Sequence, residues 1–146
     1  HKVKSYADDP CMSAPEITHA VIESLNNDPC DFYLINFANA DMVAHTGNFK
    51  ATKEALECLD KQLAMIYQTV VKELHGTLII TADHGKAEKM WDFKTQQPRT
   101  AHTTSPVPFY YVTDHDASHS LPLTELCDVA PFILEKLHIT IPQEMR

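Results

Sequence analysis

The stretch Thr77-Leu78-Ile79-Ile80-Thr81-Ala82-Asp83-His84-Gly85 constrains this chain more than any other. Its short apolar run, flanked by β-branched threonines and bounded by a turn signal, reads as a strand buried on both faces. The strand runs straight into a carboxylate and an imidazole. In open α/β sheets, ligands bind where the carboxyl ends of strands open into loops. Asp83 and His84 are therefore delivered together to the place where such a sheet does chemistry. Gly85 is expected to let the backbone turn sharply just beyond them. The competing reading leaves Asp83 as a turn cap and His84 as a surface loop residue.

Phe32-Tyr33-Leu34-Ile35-Asn36-Phe37 is a second buried-strand candidate, and it too empties into polar chemistry at Asn39, Asp41, His45, Thr46, Gly47 and Asn48. Asp41 and His45 are four apart, so on one helical turn they share a face and can hold one ion between them; the alternative is a capping Asp with a solvent His. From Ala51 to Leu74, Ala55, Leu59, Leu63, Ile66, Val70 and Leu74 carry an apolar stripe at helical spacing. His75-Gly76 is expected to stop that helix, with the glycine just past its end. Strand, long helix and strand make a βαβ unit, whose two strands should be parallel with a right-handed connection. Upstream, Ser13-Ala14-Pro15-Glu16 reads as a helix start with a capping box, and that helix ends near Asn26-Asn27-Asp28-Pro29.

Beyond Gly85 the sequence shows no clean period until Ser105, and a loop of that length in a compact domain is usually functional. It ends at Thr100-Ala101-His102-Thr103-Thr104-Ser105-Pro106, so His102 lies just before the next strand, Val107–Val112. The proline inside that strand suggests an edge or a strand start. His19, His115 and His119 read as surface residues and His75 as a structural stop. Leu121–Leu137 is mostly helical, with Asp128 expected to cap a last helix.

The chain has 146 residues, enough for one domain with a core, and a net charge of −8, which argues against nucleic-acid or anionic-membrane surfaces. Cys11, Cys30, Cys58 and Cys127 form no C-x-x-C pair and read as reduced thiols of a cytoplasmic protein. Neither a signal peptide nor a long apolar run appears, so no membrane partner is expected.

Three separate loops thus carry Asp41 with His45, Asp83 with His84, and His102. Oxygen and imidazole ligands without thiolates suit Mn²⁺, Zn²⁺ or Fe²⁺ better than Ca²⁺ or a structural zinc site. Five ligands are about enough for one full and one incomplete site, and two-metal sites activate a nucleophile and clamp the oxygens of a transferring phosphoryl group. Neither Thr103 nor Ser105 sits at a helix start beyond a sheet strand, where a phosphorylated hydroxyl is best supported. No convincing nucleophile is found.

These residues resemble the cofactor-independent (2,3-bisphosphoglycerate-independent) phosphoglycerate mutases. Residues 36–48 are similar to that family's NFANPDMVGHTGN segment, Thr81–Gly85 to its TADHGN, and Thr100–Pro108 to its TAHTxxPVP. Lys2-Val3, Tyr6, Pro10, Met12, Ser13, Ala14 and Glu16 resemble its PSPKVATYD…PEMSAPE entry. The motifs fall in family order along essentially the whole chain. Ala40 departs from the usual Pro, Ala44 from the usual Gly, and Lys86 from the usual Asn; a cation there tunes the site or points outward.

The resemblance implies a three-layer α/β/α alkaline-phosphatase-like domain with a mostly parallel sheet, here a partial domain. It implies that residues 1–146 are the C-terminal segment of the metal-binding catalytic domain, without the N-terminal segment and the inserted transferase domain. Asp41, His45 and His102 match the ligands of one Mn²⁺, and Asp83 and His84 those of the other; Mg²⁺, Co²⁺ or Zn²⁺ are possible substitutes. Lys2 matches a lysine that contacts the phosphoryl group. The implied reaction interconverts 3-phosphoglycerate and 2-phosphoglycerate through a phosphoserine. That serine, a further aspartate ligand and the glycerate-holding arginines lie upstream, so this chain alone is expected to be inactive; the intact enzyme is expected to be a cytoplasmic monomer. The alternatives are another phosphomutase or phosphatase of the same superfamily, phosphopentomutase-like, or a non-catalytic metal-binding module.

Overall fold

Local sequence signals set the helices of this structure, a computed structural model that describes residues 3–115 and 123–145. Helix α1 spans Ala14–Asn27, with Ser13 at its N-cap and Pro15 in its first turn. The expected capping box does not form. Ser13 is already turning, with φ −99° and ψ 18°, and its side chain makes no cap hydrogen bond. Backbone bonds lead into the helix instead, Ala14 N–H donating to Cys11 O and Ile17 N–H to Ser13 O.

Helix α2 is short, Asn39–Ala44, and α3 runs Phe49–Tyr67 before a π-helical stretch over Gln68–Glu73. Asn48 caps α3 by accepting from Ala51 N–H at 3.1 Å, so the helix starts before its apolar stripe does. At its far end His75, not Gly76, takes the left-handed conformation, with φ 54°. Gly76 N–H then closes back on Val70 O at 2.7 Å.

Strand β1, Leu78–Thr81, carries the stretch that ends in Asp83 and His84. Strands β2, Trp91–Asp92, and β3, Gln97–Pro98, form a small hairpin inside the region that lacked a sequence period. The Asp92 carboxylate closes its turn by accepting from Lys94 and Thr95 N–H. Strand β4, Phe109–Val112, starts just after Pro108, which has no N–H to offer a ladder.

The pairing departs from the expected parallel sheet. β1 pairs with β4 in antiparallel register, Leu78 opposite Val112 and Thr81 opposite Phe109. Residues 32–37 form no strand, so the βαβ unit is not made within this chain, and both described sheets are antiparallel pairs. The 33–37 segment nevertheless alternates as a pleat does, Tyr33, Ile35 and Phe37 half-buried and Leu34 exposed at 87%. The side-chain alternation belongs to the sequence; a ladder needs a neighbouring strand to accept and donate.

Helix α3 packs against α1, α2 and the short turn Tyr6–Asp8. The centre of that packing is Val43, Ala51 and Ala55, all buried, with Ala7 and Met12 against them. Small residues there let α2 and α3 approach closely. Cys11 and Cys58 form a disulfide with Cα atoms 5.7 Å apart, which corrects the expectation of four reduced thiols; Cys30 and Cys127 are free and exposed. The packing of α3 beside the chain entering α1 places the two cysteines together, a proximity that their separation of 47 residues conceals.

The chain divides into two units, residues 1–116 and 117–146. In the second, Leu126–Asp128 forms one 3-10 turn and leads into α4, Val129–Lys136. Asp128 does not cap α4 with its side chain. Its carboxylate reaches back to accept from Thr124 and Glu125 N–H, each at 2.9 Å. His119 lies outside the described residues. No helix among the described residues is long and apolar enough to cross a membrane.

Candidate metal centre

Asp41 lies in the first turn of α2 and His45 is that helix's C-cap. The one-turn spacing brings His45 Nε2 within 3.2 Å of Asp41 Oδ1. The start of α2 is anchored from below by Asn39. Its buried amide donates to Pro10 O at 3.0 Å and to Cys11 O at 2.6 Å, tying α2 to the chain that enters α1.

The third residue arrives by a different route. Gly85, four residues beyond β1, makes an isolated antiparallel bridge with Thr103, whose N–H donates to Gly85 O at 2.8 Å. This approach is too close for a side chain. A Cβ on Gly85 would meet Thr103 Oγ1 and would lie 2.8 Å from Glu88 Oε1. Gly85 is thus required by the close approach of Thr103, and not by the left-handed turn the sequence suggested, since it is absent from the positive-φ glycines. Residues that flank a bridged pair point to the opposite face from it. His84, Lys86 and His102 therefore share one face, and Thr103 and Glu88 meet on the other. The Thr103 hydroxyl donates to the Glu88 carboxylate. That hydrogen bond holds the Glu88 carboxyl at about 2, well below the usual value.

On the shared face the imidazoles of His84 and His102 stack, with centroids 3.7 Å apart and an interplanar angle of 21°. His102 Nε2 then lies 3.0 Å from His45 Nε2 and 3.4 Å from Asp41 Oδ1. Asp41, His45 and His102 are the described Asp/Glu/His/Cys group whose ligand atoms converge, all within 4.8 Å of one another.

The separations fit a divalent ion. Metal–ligand bonds of about 2.1 Å put neighbouring ligand atoms about 3.0 Å apart at octahedral angles and about 3.4 Å apart at tetrahedral ones. The three observed distances span that interval. Asp41 Oδ1 is also a buried oxygen without a hydrogen-bond partner, and His84 Nδ1 is a buried nitrogen in the same condition. Buried acceptors are normally satisfied, so an orphan beside two imidazole nitrogens marks where a cation would sit. The donor set of one carboxylate and two imidazoles suits Mn²⁺, Co²⁺ or Zn²⁺.

Asp83 and His84 do not join this group. Asp83 is exposed at its side chain (88%), and its Oδ2 lies 3.6 Å from His84 Nε2. The two stand beside the converging trio, with His84 in contact through His102. Lys2 lies outside the described residues.

Lys86 was legible only as a departure from a motif. The structure turns it inward, 3% exposed, with Nζ donating to Ala44 O at 3.2 Å and to Arg99 O at 3.3 Å. Burial pushes its pKa down, while Asp41 and Glu88 work in the opposite sense. No sequence signal marks such a lysine, because lysines are almost always exposed. Glu88, Thr103 and Asn39 were likewise silent as supports of the site.

Comparisons with known proteins identify the family of the chain. The model of the Metalloenzyme superfamily matches residues 1–141. A 2,3-bisphosphoglycerate-independent phosphoglycerate mutase of Francisella philomiragia is 47% identical over 144 residues, 99% of this chain and 28% of that protein. The enzyme of the same name from Clostridium acetobutylicum is 44% identical over the same shares. A crystal structure of Leishmania mexicana phosphoglycerate mutase at low cobalt concentration superposes with a TM-score of 0.85 at 32% identity, covering 100% of this chain and 29% of that one. This chain thus spans between a quarter and a third of the length of these relatives.

Proposed function

Because this chain belongs to the Metalloenzyme superfamily, we propose that it is the C-terminal metal-binding segment of a cofactor-independent phosphoglycerate mutase, interconverting 3-phosphoglycerate and 2-phosphoglycerate. The observation that carries the reading is the convergence of Asp41, His45 and His102. These three hold one divalent ion, for which Mn²⁺ is the proposed occupant. Asp83 and His84 contribute to a second. Such ions stabilise the charge on a transferring phosphoryl group and lower the pKa of a bound hydroxyl.

The chain's own residues position that chemistry. α2 presents Asp41 and His45 as a preset pair one turn apart. The Gly85–Thr103 bridge delivers His102 and orders His84 against it. Lys2 would contact the phosphoryl group. The net charge of −8 disfavours an anionic substrate unless cations offset it, and bound divalent ions supply that offset. A cytoplasmic, monomeric enzyme goes with this reading; in a reducing cytoplasm the Cys11–Cys58 bond is open to reduction.

The test uses this sequence within its full reading frame, with and without His45→Ala and His102→Ala, assayed for 2-phosphoglycerate formation at graded Mn²⁺. Activity that follows Mn²⁺ and disappears in both variants supports the assignment. Mutase turnover unchanged in both variants would sink it.

A further inference from the structure

Nothing in the chemistry of the ligands calls for a buried ammonium beside a cation site, yet Lys86 is placed there. Removing an ammonium from water costs several kcal/mol unless it is well hydrogen-bonded, so its two carbonyl partners define what it does. One is Ala44 O, in the residue before His45. The other is Arg99 O, three residues before His102. Ala44 O also accepts from Gly47 N–H at 3.0 Å, so the end of α2 is already closed without Lys86. The lysine adds a link between two segments that each carry a ligand.

We propose that Lys86 is a positioning residue of the metal centre, bracing the end of α2 against residues 99–102 so that His45 and His102 meet one ion. The proposal rests on reading Asp41, His45 and His102 as ligands. The register explains why this residue can do it, because Lys86 flanks the Gly85–Thr103 bridge on the same face as His84 and His102, opposite to the Thr103 side chain. Its buried ammonium joins the two carbonyls. The opposing effect is electrostatic: a fixed positive charge near the site repels a second cation. If bracing dominates, removing Lys86 weakens metal binding; if repulsion dominates, removing it strengthens binding.

The experiment titrates the 146-residue protein with Co²⁺, whose visible bands report ligand geometry, in wild type, His45→Ala, Lys86→Met and Lys86→Gln. Wild type binds and His45→Ala does not; failure of either result overturns the ligand reading itself and not the brace. With those two results in hand, Lys86→Met is expected to bind Co²⁺ about tenfold more weakly, the scale of an outer-sphere support, with an altered band envelope. Lys86→Gln keeps a donor without the charge and falls between Lys86→Met and wild type. Affinity at or above wild type in either variant, with the wild-type band envelope, overturns the proposal. If Lys86→Met does not fold, Lys86→Gln decides alone by the same criterion.

Discussion

His45 Nε2 and His102 Nε2 lie 3.0 Å apart although 57 residues separate them in the chain. A neutral imidazole has one N–H and one bare nitrogen. Both Nε2 atoms also face Asp41 Oδ1, at 3.2 and 3.4 Å. A divalent ion at this point would be held by all three atoms at once. Single substitutions His45→Ala and His102→Ala are therefore expected to lower Mn²⁺ affinity by more than the roughly 10- to 100-fold that outer-sphere partners cost. His19→Ala, in α1, is expected to leave it unchanged. Isothermal titration of the three variants checks this.

The bridge that delivers His102 tolerates no side chain at Gly85. Gly85→Ala puts a methyl group against Thr103 Oγ1 and Glu88 Oε1. The expected cost is about 1–3 kcal/mol, that of an overpacked site, read as a lower urea midpoint. The same change separates the stacked imidazoles of His84 and His102, so metal affinity should fall with it.

Glu88 supplies a pH dependence whose sign follows from its hydrogen bond. Its folded-state pKa of about 2 lies below the ordinary 4.5, chiefly because the Thr103 hydroxyl donates to the carboxylate. The folded state therefore binds this proton less readily than the unfolded state does. Its contribution to stability is complete above the ordinary value and is lost as pH falls toward about 2. The side chain is exposed, so the contribution is small. Denaturation midpoints of wild type and Glu88→Gln measured from about pH 6 to pH 3 should converge as the carboxylate is protonated. A constant difference across that range contradicts the assignment.

Cys11 and Cys58 join segments 47 residues apart. On the chain-entropy account, closing such a loop stabilises the fold by about 4 kcal/mol. A maleimide should label only Cys30 and Cys127 in the unreduced denatured chain, and all four cysteines after reduction. The Cys11→Ser, Cys58→Ser double variant should lose several kcal/mol of stability in denaturant titrations.

The sequence by itself determined the parts whose causes are local. Helical spacing produced α1, and α3 with its π-helical stretch, to within a few residues, although the capping box expected at α1 did not form. The apolar run after Thr77 produced β1, and the run expected over Val107–Val112 produced β4, which starts two residues later, after Pro108. The motif residues Asp41, His45 and His102 were legible one by one, and Asp41 with His45 as a pair, because one helical turn joins them. Tertiary structure alone decided what depends on a distant neighbour. Strand direction was one such matter: Leu34 and Ile35 carry the strand pattern, but no sequence rule says which strand supplies their ladder, and β1 found β4 in antiparallel register. The Cys11–Cys58 pairing and the inward turn of Lys86 are of the same kind, and the meeting of His102 with His45 was implied by the family resemblance but by no local spacing. Each couples segments far apart along the chain. Local propensity acts over a few residues, whereas close approach, a buried ammonium's need for carbonyl oxygens and the convergence of ligand atoms are satisfied only by the folded whole.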